Sequence, residues 1–477
     1  MRRAYLCFVM CGLTLAGCTT GPPSESFDRL RADLRERGGY ETVWAPVRAS
    51  PEWEALRADY LDDGMLGADE AVRLALLNNA DLQAELDELG VAHAQLVQAS
   101  LLPNPVLDAS VRFVEGGGGE IFELGIAQNL VELLLLPRRQ RRAEEGVALA
   151  EASAAAAVLD LAAETRTAYR RYQAQLARIE LYQSVVDATR LAADMARRLR
   201  DAGNVIELDV LQEDAMYRDA RLMLAEAQGQ AVQRRESLHA LLGVWGESAS
   251  GWAVPARLPD PSPLQLDPAE LVSGVIAASL DLEAQRRRIN LLGQRLGIES
   301  FEALLPDLEA GAEAERESDG AWSVGPAVGV ALPIFDTGRG VRAEYGALLR
   351  QAMNRYRAMA VRLRASARSS YSTAQTTANT SRYLREVVVP LRHRVTGQTQ
   401  LQFNAMQLGV FRMLDAKRSE IQAAERYLTA LENHWVARIE LETLRMGRMP
   451  RTRYGIDPGG ALGSGGESST PSDNGDH

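Results

Sequence analysis

The chain repeats a set of short motifs at a spacing of about 200 residues. Three motif pairs carry the repeat: Asp81-Leu82-Gln83-Ala84 with Asp281-Leu282-Glu283-Ala284, Leu101-Leu102-Pro103-Asn104 with Leu304-Leu305-Pro306-Asp307, and Gly203 before Leu208-Asp209 with Gly409 before Leu414-Asp415. The spacing drifts only slightly, as it would after duplication with small insertions. The fold should therefore consist of one unit used twice.

The N-terminus predicts export across a membrane. Arg2 and Arg3 precede the short apolar segment Tyr5–Leu15, which is too short to span a bilayer as a helix. Leu15-Ala16-Gly17-Cys18 follows and resembles a bacterial lipobox, in which the signal is cut before the Cys and a lipid is attached to its sulfur. The alternative is an ordinary signal peptide with a chance Cys. Thr19, in place of Asp, implies sorting to the outer membrane.

Cysteine usage and charge narrow the class of protein further. The chain has three cysteines, Cys7, Cys11 and Cys18, so the mature protein cannot form an internal disulfide. The net charge of −11 argues against nucleic-acid binding, which needs a basic face. After the signal no run of 18 apolar residues occurs, and we therefore expect no transmembrane helix.

Each repeat carries two segments of alternating apolar and polar residues around a Gly-containing loop. The first pair covers 107–113 and 122–130, with the loop at Glu115 to Glu120; the second covers 308–315 and 322–332, with the loop around Gly320. This period of two predicts a β-hairpin in each repeat, and strands of about 9–11 residues suit a tilted crossing of a bilayer. Pro326 predicts an edge position or a bulge.

Four strands are too few to close a membrane barrel. An open strand edge in lipid would leave unpaired backbone groups, each costing several kcal/mol. Hairpins that span a membrane would therefore require several copies of the chain to complete one barrel. The alternative is a half-buried hairpin in a soluble domain.

Long helices follow each hairpin. From about Arg138 to Arg200 apolar residues recur at threes and fours with no Pro, which predicts a coiled-coil-like helix of roughly 90 Å. The chain turns at Asp201-Ala202-Gly203-Asn204 and returns from Leu208 to Leu242. The second copy runs from about Arg339 to Gln407 and returns to about Met446.

This plan gives six predicted segments: a lipoprotein signal peptide at 1–17, an irregular N-terminal arm at 18–67, a first repeat at 68–250, a Pro-rich linker at 251–266, a second repeat at 267–450 and a disordered tail at 451–477. The fold class is mainly α with a membrane β-barrel portion. Long coiled-coil helices and four strands per protomer make up an internally duplicated chain.

The ordered, doubled motifs resemble those of the TolC-type outer membrane factors, in the lipoprotein subtype that serves tripartite efflux systems. The resemblance rests on Asn78-Asn79-Ala80-Asp81-Leu82, Leu102-Pro103-Asn104-Pro105, Pro333-Ile334-Phe335-Asp336-Thr337-Gly338, Leu208-Asp209-Val210-Leu211 and Leu414-Asp415-Ala416. It implies a homotrimer with a twelve-stranded barrel in outer membrane lipid and a hollow α-barrel in the periplasm. The duct would work with a periplasmic adaptor and an inner-membrane pump, of the RND type.

The resemblance to this family also implies where the adaptor docks. The resemblance to a lipobox implies Cys18 as the lipidation site. The docking residues lie at the two helical turns, namely Ala202, Gly203, Asn204, Val205, Gln407, Leu408, Gly409 and Val410. Positive φ is expected at Gly203 and Gly409, since a tight turn after a helix favours it. As an alternative, these residues serve only to cap helices.

Two departures from the family pattern concern the ends of the duct. The first strand-to-helix exit, Asn129-Leu130-Val131-Glu132-Leu133 followed by Pro137, lacks the Asp-x-Gly of the second. Val341 to Val410 contains no Asp, so an acidic constriction is not expected there. The arginines of this segment, which include Arg382 and Arg385, are interpreted as a solvated helix face, with a basic ring in the lumen as the alternative.

No residue pattern predicts catalysis, a cofactor or a metal site. The five histidines are scattered without a second His three or four residues away, and the glycines at 116–119 are not followed by the Lys-Ser/Thr of a phosphate-binding loop. The predicted function is a passive outer-membrane exit duct, whose cargo the sequence does not specify. The alternative function is a lipid-anchored periplasmic coiled-coil adaptor or structural protein.

Overall fold

A computed structural model describes residues 24–44, 64–113, 120–246, 251–261, 266–317 and 320–450. The predicted signal peptide, Cys18, the first hairpin loop and the C-terminal tail lie outside these residues. The chain divides into two compact units. Unit 1 includes Asp87–Glu151 and Asn290–Leu348, and unit 2 includes Asp33–Leu86, Ala152–Ile289 and the chain from Leu349 onward.

The order of elements confirms the predicted duplication. The N-terminal arm holds α1 (Ser24–Gly38), so the prediction of an irregular arm is wrong there. The first repeat contains α2 (Ala68–Asn78), α3 (Ala80–Ser100), β1 (Val106–Phe113), β2 (Glu120–Asn129), α4 (Leu130–Asp201) and α5 (Glu207–Leu242). The second contains α6 (Pro268–Ala278), α7 (Leu280–Glu302), β3 (Leu308–Arg316), β4 (Trp322–Val330), α8 (Arg339–Tyr383), a π-helical turn (Leu384–Val388), α9 (Val389–Asn404) and α10 (Val410–Arg445).

The first predicted helix of each repeat is broken into two helices. Asn79 leaves the helical conformation, and its Oδ1 accepts a hydrogen bond of 3.0 Å from the backbone N–H of Leu82 at the start of α3. In the second repeat the Oγ of Ser279 accepts from Leu282 at 3.2 Å. A short polar side chain that caps the next helix is therefore the shared cause of both breaks.

A glycine packs against each of these helix breaks. Gly243 ends α5 with φ +65°, and a Cβ there would lie 2.7 Å from the carbonyl oxygen of Asn78. Gly447 follows α10 with φ +104°, and a Cβ there would overlap the carbonyl of Ala278. The Nδ2 of Asn78 also donates to the Gly243 carbonyl at 2.6 Å. The two repeats thus use the same backbone-to-backbone joint.

The long helix α4 begins earlier than predicted. It starts at Leu130, directly after β2, and includes Pro137. The Oδ1 of Asn129 accepts from the Glu132 N–H at 3.0 Å, and the Nδ2 of Asn129 donates to Asp307 at 2.7 Å. Buried Leu135 packs in a cluster with Ile298. Capping and this packing outweigh the helix-breaking tendency of Pro137.

One stretch of α4 is long and apolar enough to cross a membrane by composition. An 18-residue window of this helix has a mean hydropathy of 1.5, and half of it is buried inside the chain. Ala154, Ala155 and Ala162 are among its buried residues, so packing within the chain accounts for the composition.

The four strands form one antiparallel sheet in the order β1-β2-β3-β4, which lies in unit 1. β2 pairs with β3 from Phe122↔Arg316 to Asn129↔Glu309, so the two predicted hairpins join directly. Pro326 lies in β4, an edge strand, opposite Ala312. The prediction of an edge position for this proline is confirmed.

In unit 2 the predicted Pro-rich linker is partly a packed segment. Residues 251–261, here called the strap, bury Trp252, Val254 and Leu258. Gln173 of α4 donates to the strap carbonyls of Pro255 at 2.8 Å and Arg257 at 3.0 Å. The strap therefore lies on the helices, and its prolines make it rigid. Its composition alone had predicted a linker.

A buried ion-pair cluster ties the end of the second repeat to both repeats. The Nε and Nη2 of Arg448 donate to the two carboxylate oxygens of Asp160 in α4, each at 2.7 Å. Arg448 also pairs with Asp281 of α7, which accepts from the Met449 N–H at 2.9 Å. Removing one partner would leave a buried charge uncompensated.

We expect Gly447→Ala to destabilise unit 2 by about 2–3 kcal/mol, because an L side chain at this φ is strained and meets the Ala278 carbonyl. Thermal or denaturant unfolding of the purified protein measures the change. Gly397→Ala is the matched control. It lies within α9 with open space around it, so the substitution should be neutral or stabilise by up to about 1 kcal/mol. Equal stability of both variants would contradict the proposed joint.

Candidate functional site: the carboxylate face of the sheet and the two helical turns

One face of the sheet is apolar. The strand register places on it the side chains of Leu107, Val111, Phe122, Leu124, Ile126, Trp322, Val324 and Val328. All eight are exposed in the single chain. An exposed apolar face of this extent requires a partner, and lipid is the partner expected for strands of this length.

The opposite face carries carboxylates in adjacent rows. Asp108, Gly125, Glu313 and Gly325 form one row across the four strands. The next row is Ser110, Glu123, Glu315 and Ser323. With Glu309, this face has five carboxylates, and Arg112 is the basic side chain on it within the described strands. The face is therefore strongly anionic.

The local geometry leaves most of this charge uncompensated. Glu123 pairs with Arg112 and accepts from the Oγ of Ser110 at 2.8 Å, but it also lies directly opposite Glu315. Gly125 leaves space beneath Glu313, since a Cβ there would lie 3.6 Å from the Glu313 Cγ. The face forms a concavity of about 450 Å³. It can attract cations and repel anions along a surface.

These carboxylates do not assemble into a metal site. Within the part of the chain that the structure describes, no group of three or more His, Cys, Asp or Glu side chains is arranged to hold a metal ion. The carboxylates of the face act through their charge.

The first predicted turn has the expected backbone. Gly203 has φ +77°, and the Asn204 N–H donates to the Leu199 carbonyl at 2.8 Å, which closes the end of α4. Arg200 pairs across the turn with Glu207 at 2.7 Å. Ala202, Gly203 and Asn204 are exposed and Val205 is half-buried, so this turn presents a free surface.

The second turn differs from the prediction. Gly409 has φ −75° and ψ 160°, an extended conformation that precedes α10, so the expected positive φ is wrong there. Met406 takes the left-handed conformation instead, with φ 58°, and its side chain is 94% exposed. The Gln407 N–H donates to the Gln402 carbonyl at 2.9 Å. The left-handed conformation falls on Met406 because this residue follows directly after the end of α9 and its C-cap. The repeated motif had predicted it at Gly409, three residues further along the chain.

The remaining predicted turn residues are placed as follows. Gln407 and Gly409 are exposed, Leu408 is half-buried, and Val410 begins α10. α4 and α10 run antiparallel, because Arg178 of α4 pairs with Glu432 of α10 while Val186 further along α4 lies in a cluster with Ile421 nearer the start of α10. From this cluster α4 runs on toward its turn, and α10 arrives from its own. Both turns therefore lie at the same end of unit 2, as the duplication predicted.

Two glutamates behind the turns have shifted acidity. Burial, and next the charge of Asp209, raise the pKa of Glu213, which is 3% exposed. Burial opposes ionisation of Glu420, but hydrogen bonds from His393 and Lys417 lower its pKa overall. His393 Nδ1 lies 2.8 Å from Glu420, which links α9 to α10.

Several contacts in the second hairpin had no signal in the sequence. Arg385, predicted as part of a solvated face, pairs with Asp260 of the strap at 2.7 Å and lies in the π-helical turn. Pro390 follows within α9. Neither the π-helical turn nor a partner 125 positions away in sequence could be predicted from local periodicity.

Comparison with known proteins gives one consistent result. The family model described as "Outer membrane efflux protein" matches residues 71–244, which corresponds to the first repeat. The chain is 26% identical over 396 residues to the cobalt-zinc-cadmium resistance protein CzcC of Cupriavidus metallidurans, covering 80% of this chain and 90% of that protein. It is 25% identical over 368 residues to the outer membrane protein OprJ of Pseudomonas aeruginosa, covering 69% and 72%.

Solved structures share the fold. The CmeC outer membrane channel of Campylobacter jejuni superimposes with a TM-score of 0.70 at 14% identity, covering 82% of this chain and 87% of that one. The outer membrane protein VceC of Vibrio cholerae gives 0.68 at 16% identity, covering 80% and 97%. At these identities the likeness concerns the fold.

Proposed function

The chain belongs to the outer membrane efflux protein family, and we propose that three copies of it form the exit duct of a tripartite system that exports divalent metal cations. The strand sheet of each copy would contribute four strands to a twelve-stranded barrel. The apolar face would contact lipid and the carboxylate face would line the lumen. The duct would be passive, with energy supplied by an inner-membrane pump of the RND type through a periplasmic adaptor.

Support for the oligomer comes from the sheet edges. β1 and β4 are the edges of the four-stranded sheet, and their outer backbone groups have no strand partner within the described chain. In lipid such groups cost several kcal/mol each. Pairing β4 of one copy with β1 of the next would satisfy them.

The carboxylate face is the observation that carries the cargo proposal. Fixed negative charge on a pore wall raises the local cation concentration and lowers that of anions. The similarity to CzcC, whose name states resistance to cobalt, zinc and cadmium, favours divalent metal cations over organic cargo. Weaker similarity to the fusaric acid resistance protein FusA of Burkholderia cepacia, 30% identical over 208 residues, names an organic alternative.

We expect neutralising the lumen face with Glu313→Gln and Glu315→Gln to reduce the cation-over-anion permeability of the purified channel in planar bilayers. A unit charge about 4 Å from a passing ion is worth about 1 kcal/mol in water, a change of roughly fivefold. Glu344→Gln, an exposed carboxylate of α8 outside the sheet, is the matched control and should leave permeability unchanged.

The same variants test the cargo in cells. A strain lacking the gene should become sensitive to cobalt, zinc and cadmium, and the wild-type gene should restore growth better than the Glu313→Gln, Glu315→Gln variant. Sensitivity to organic compounds alone would contradict the metal cargo and leave the duct intact. Unchanged resistance to every compound tested would contradict the efflux function.

We propose further that the adaptor docks on the two turns. Their location at one end of unit 2 and their exposed backbone support this role. We expect Gly409→Trp to abolish export with the trimer intact, because the residue is extended and exposed and a Cβ there meets open space. Metal resistance and trimer bands in membrane fractions are the two measurements.

Controls separate docking from folding. Gly203→Trp should act in the same way, but its positive φ adds backbone strain, so Gly203→Ala measures strain alone and should retain export. Gly274→Trp, exposed in α6 with open space around it, controls for added bulk. Loss of the trimer in Gly409→Trp would mean that the turn has only a structural role.

The lipid anchor at Cys18 is also part of the proposal, since the sequence before it matches a lipobox. Cells grown with radiolabelled palmitate should label the wild-type protein, and Cys18→Ser should remove the label. Because Cys7 and Cys11 lie within the signal, Cys7→Ser serves as the control and should keep it. An unlabelled wild-type protein would overturn the anchor without affecting the duct.

A further inference from the structure

All four junctions between the strands and the neighbouring helices carry exposed apolar side chains. The strands pair antiparallel and each hairpin turns at the other end, so these junctions share one end of the sheet. At least one large apolar side chain is exposed at each junction: Leu102, Leu134, Leu304 and Phe335. Apolar side chains concentrated at one end of a strand sheet are typical of a membrane interface.

The apolar face of the sheet continues onto the start of α4. Leu308 of β3 lies on that face, opposite Val330, and it packs against the cluster of Val131, Leu135 and Ile298. β2 has ten residues, and at about 3.3 Å per residue and a tilt of about 45° it covers about 23 Å of bilayer thickness. The apolar band of such barrels is about 25 Å tall, so it would end close to the first turn of α4.

One exposed side of α4 changes from apolar to cationic just beyond this point. Leu134, Arg138 and Arg141 are exposed and separated by four and three residues, so they line one side of the helix. Along the helix the two arginines lie about 6 and 10 Å beyond Leu134. The headgroup layer of a bilayer is roughly 5–8 Å thick. With Leu134 at the acyl boundary, the long arginine side chains reach the phosphates of this layer.

The same stretch of α4 is a local concentration of positive charge in an acidic chain. Residues 138–142 contain four arginines and no carboxylate, whereas the whole chain has a net charge of −11. Burial, and next the charge of Arg295, lower the pKa of Arg142, because cations crowd one another here. An anion beside these residues is therefore stabilised by the local field.

The two exposed arginines keep donors for a ligand. Arg138 donates to the Gly297 carbonyl at 3.3 Å, and its guanidinium lies 5.3 Å from the centre of the Phe301 ring. Neither Arg138 nor Arg141 pairs with a carboxylate within the part of the chain that the structure describes. Since a guanidinium has five donors in a fork that matches phosphate oxygens, both can bind a phosphodiester.

The second strand-to-helix exit has the apolar part of this arrangement but a balanced charge. Ile334 is exposed, and Arg339 and Arg342 follow it. Asp336 and Glu344, both exposed, lie beside them in sequence and offset their charge. An anion therefore gains less at this exit than at the first one.

We propose that the side of α4 formed by Leu134, Arg138 and Arg141 binds an anionic phospholipid, with the acyl chains on Leu134 and the phosphate at the two guanidinium groups. The occupant is a lipid because the apolar face of the sheet continues to this point and the charge beyond it is positive. The inference rests on the proposed placement of the sheet in the membrane. It adds a preference for one class of lipid at the first exit.

Tryptophan quenching by brominated lipid tests this preference. Purified full-length Leu134→Trp is reconstituted in vesicles of equal parts phosphatidylcholine and phosphatidylglycerol, with bromine on the acyl chains of one lipid or the other. The fluorescence that this variant adds to the six native tryptophans should be quenched more strongly when phosphatidylglycerol carries the bromine. Ile334→Trp, exposed at the second exit, is the matched control and should be quenched equally by both lipids.

Removing the two charges identifies the residues responsible. Arg138→Gln with Arg141→Gln in the Leu134→Trp protein should lower the preference by up to about fivefold for each arginine, since a cation at an anionic surface contributes about that factor. Arg190→Gln with Arg198→Gln removes the same charge from exposed positions near the C-terminal end of α4. This control should leave the preference unchanged.

The outcomes separate the lipid site from the duct. A preference that survives Arg138→Gln with Arg141→Gln, or that is equally strong at Ile334→Trp, overturns the site. Equal quenching of Leu134→Trp by both lipids also overturns it, and the duct stands if the gene still confers metal resistance. The native Trp322 on the apolar face should be quenched in either case; if no lipid quenches it, the sheet is not in the bilayer and both proposals fail.

Discussion

Backbone hydrogen bonding at the two edges of the strand sheet is the constraint on which the rest of this structure depends. The four strands pair with one another in a continuous order, and β1 and β4 remain as edges. In lipid these edges cannot be left to solvent, because no water is present to satisfy them. In the proposed duct, strands of neighbouring copies would satisfy these groups.

The two repeats of the chain keep the same arrangement of helices through matching joints. Gly243 and Gly447 each lie against the break in the first helix of their repeat, where a side chain would collide with a backbone carbonyl. Arg448 then binds one carboxylate from each repeat, Asp160 and Asp281. These contacts are buried, so they fix the geometry of the helical unit before any partner is present.

Local chemistry accounts for what could be predicted and for what could not. The alternation of apolar and polar residues predicted the strands, because side chains in a strand point to opposite faces in turn. The positive φ of Gly203 follows from the geometry of a tight turn. Both features depend on local sequence. The start of α4 at Leu130 was missed because Asn129 caps it and Leu135 packs on Ile298, a contact distant in sequence. The positive φ predicted for Gly409 was wrong because the repeated motif located the turn but not the residue that takes the left-handed conformation, which is Met406.

The sequence by itself determined the duplication, the two hairpins and the long helices, since period and length are properties of the chain alone. Only the tertiary structure decided which side chains share a surface. Register aligned Asp108, Glu123, Glu313 and Glu315 on one face of the sheet, and helix packing brought Asp160 and Asp281 to Arg448. Both outcomes depend on contacts between residues far apart in the chain, whose pairing no local pattern specifies.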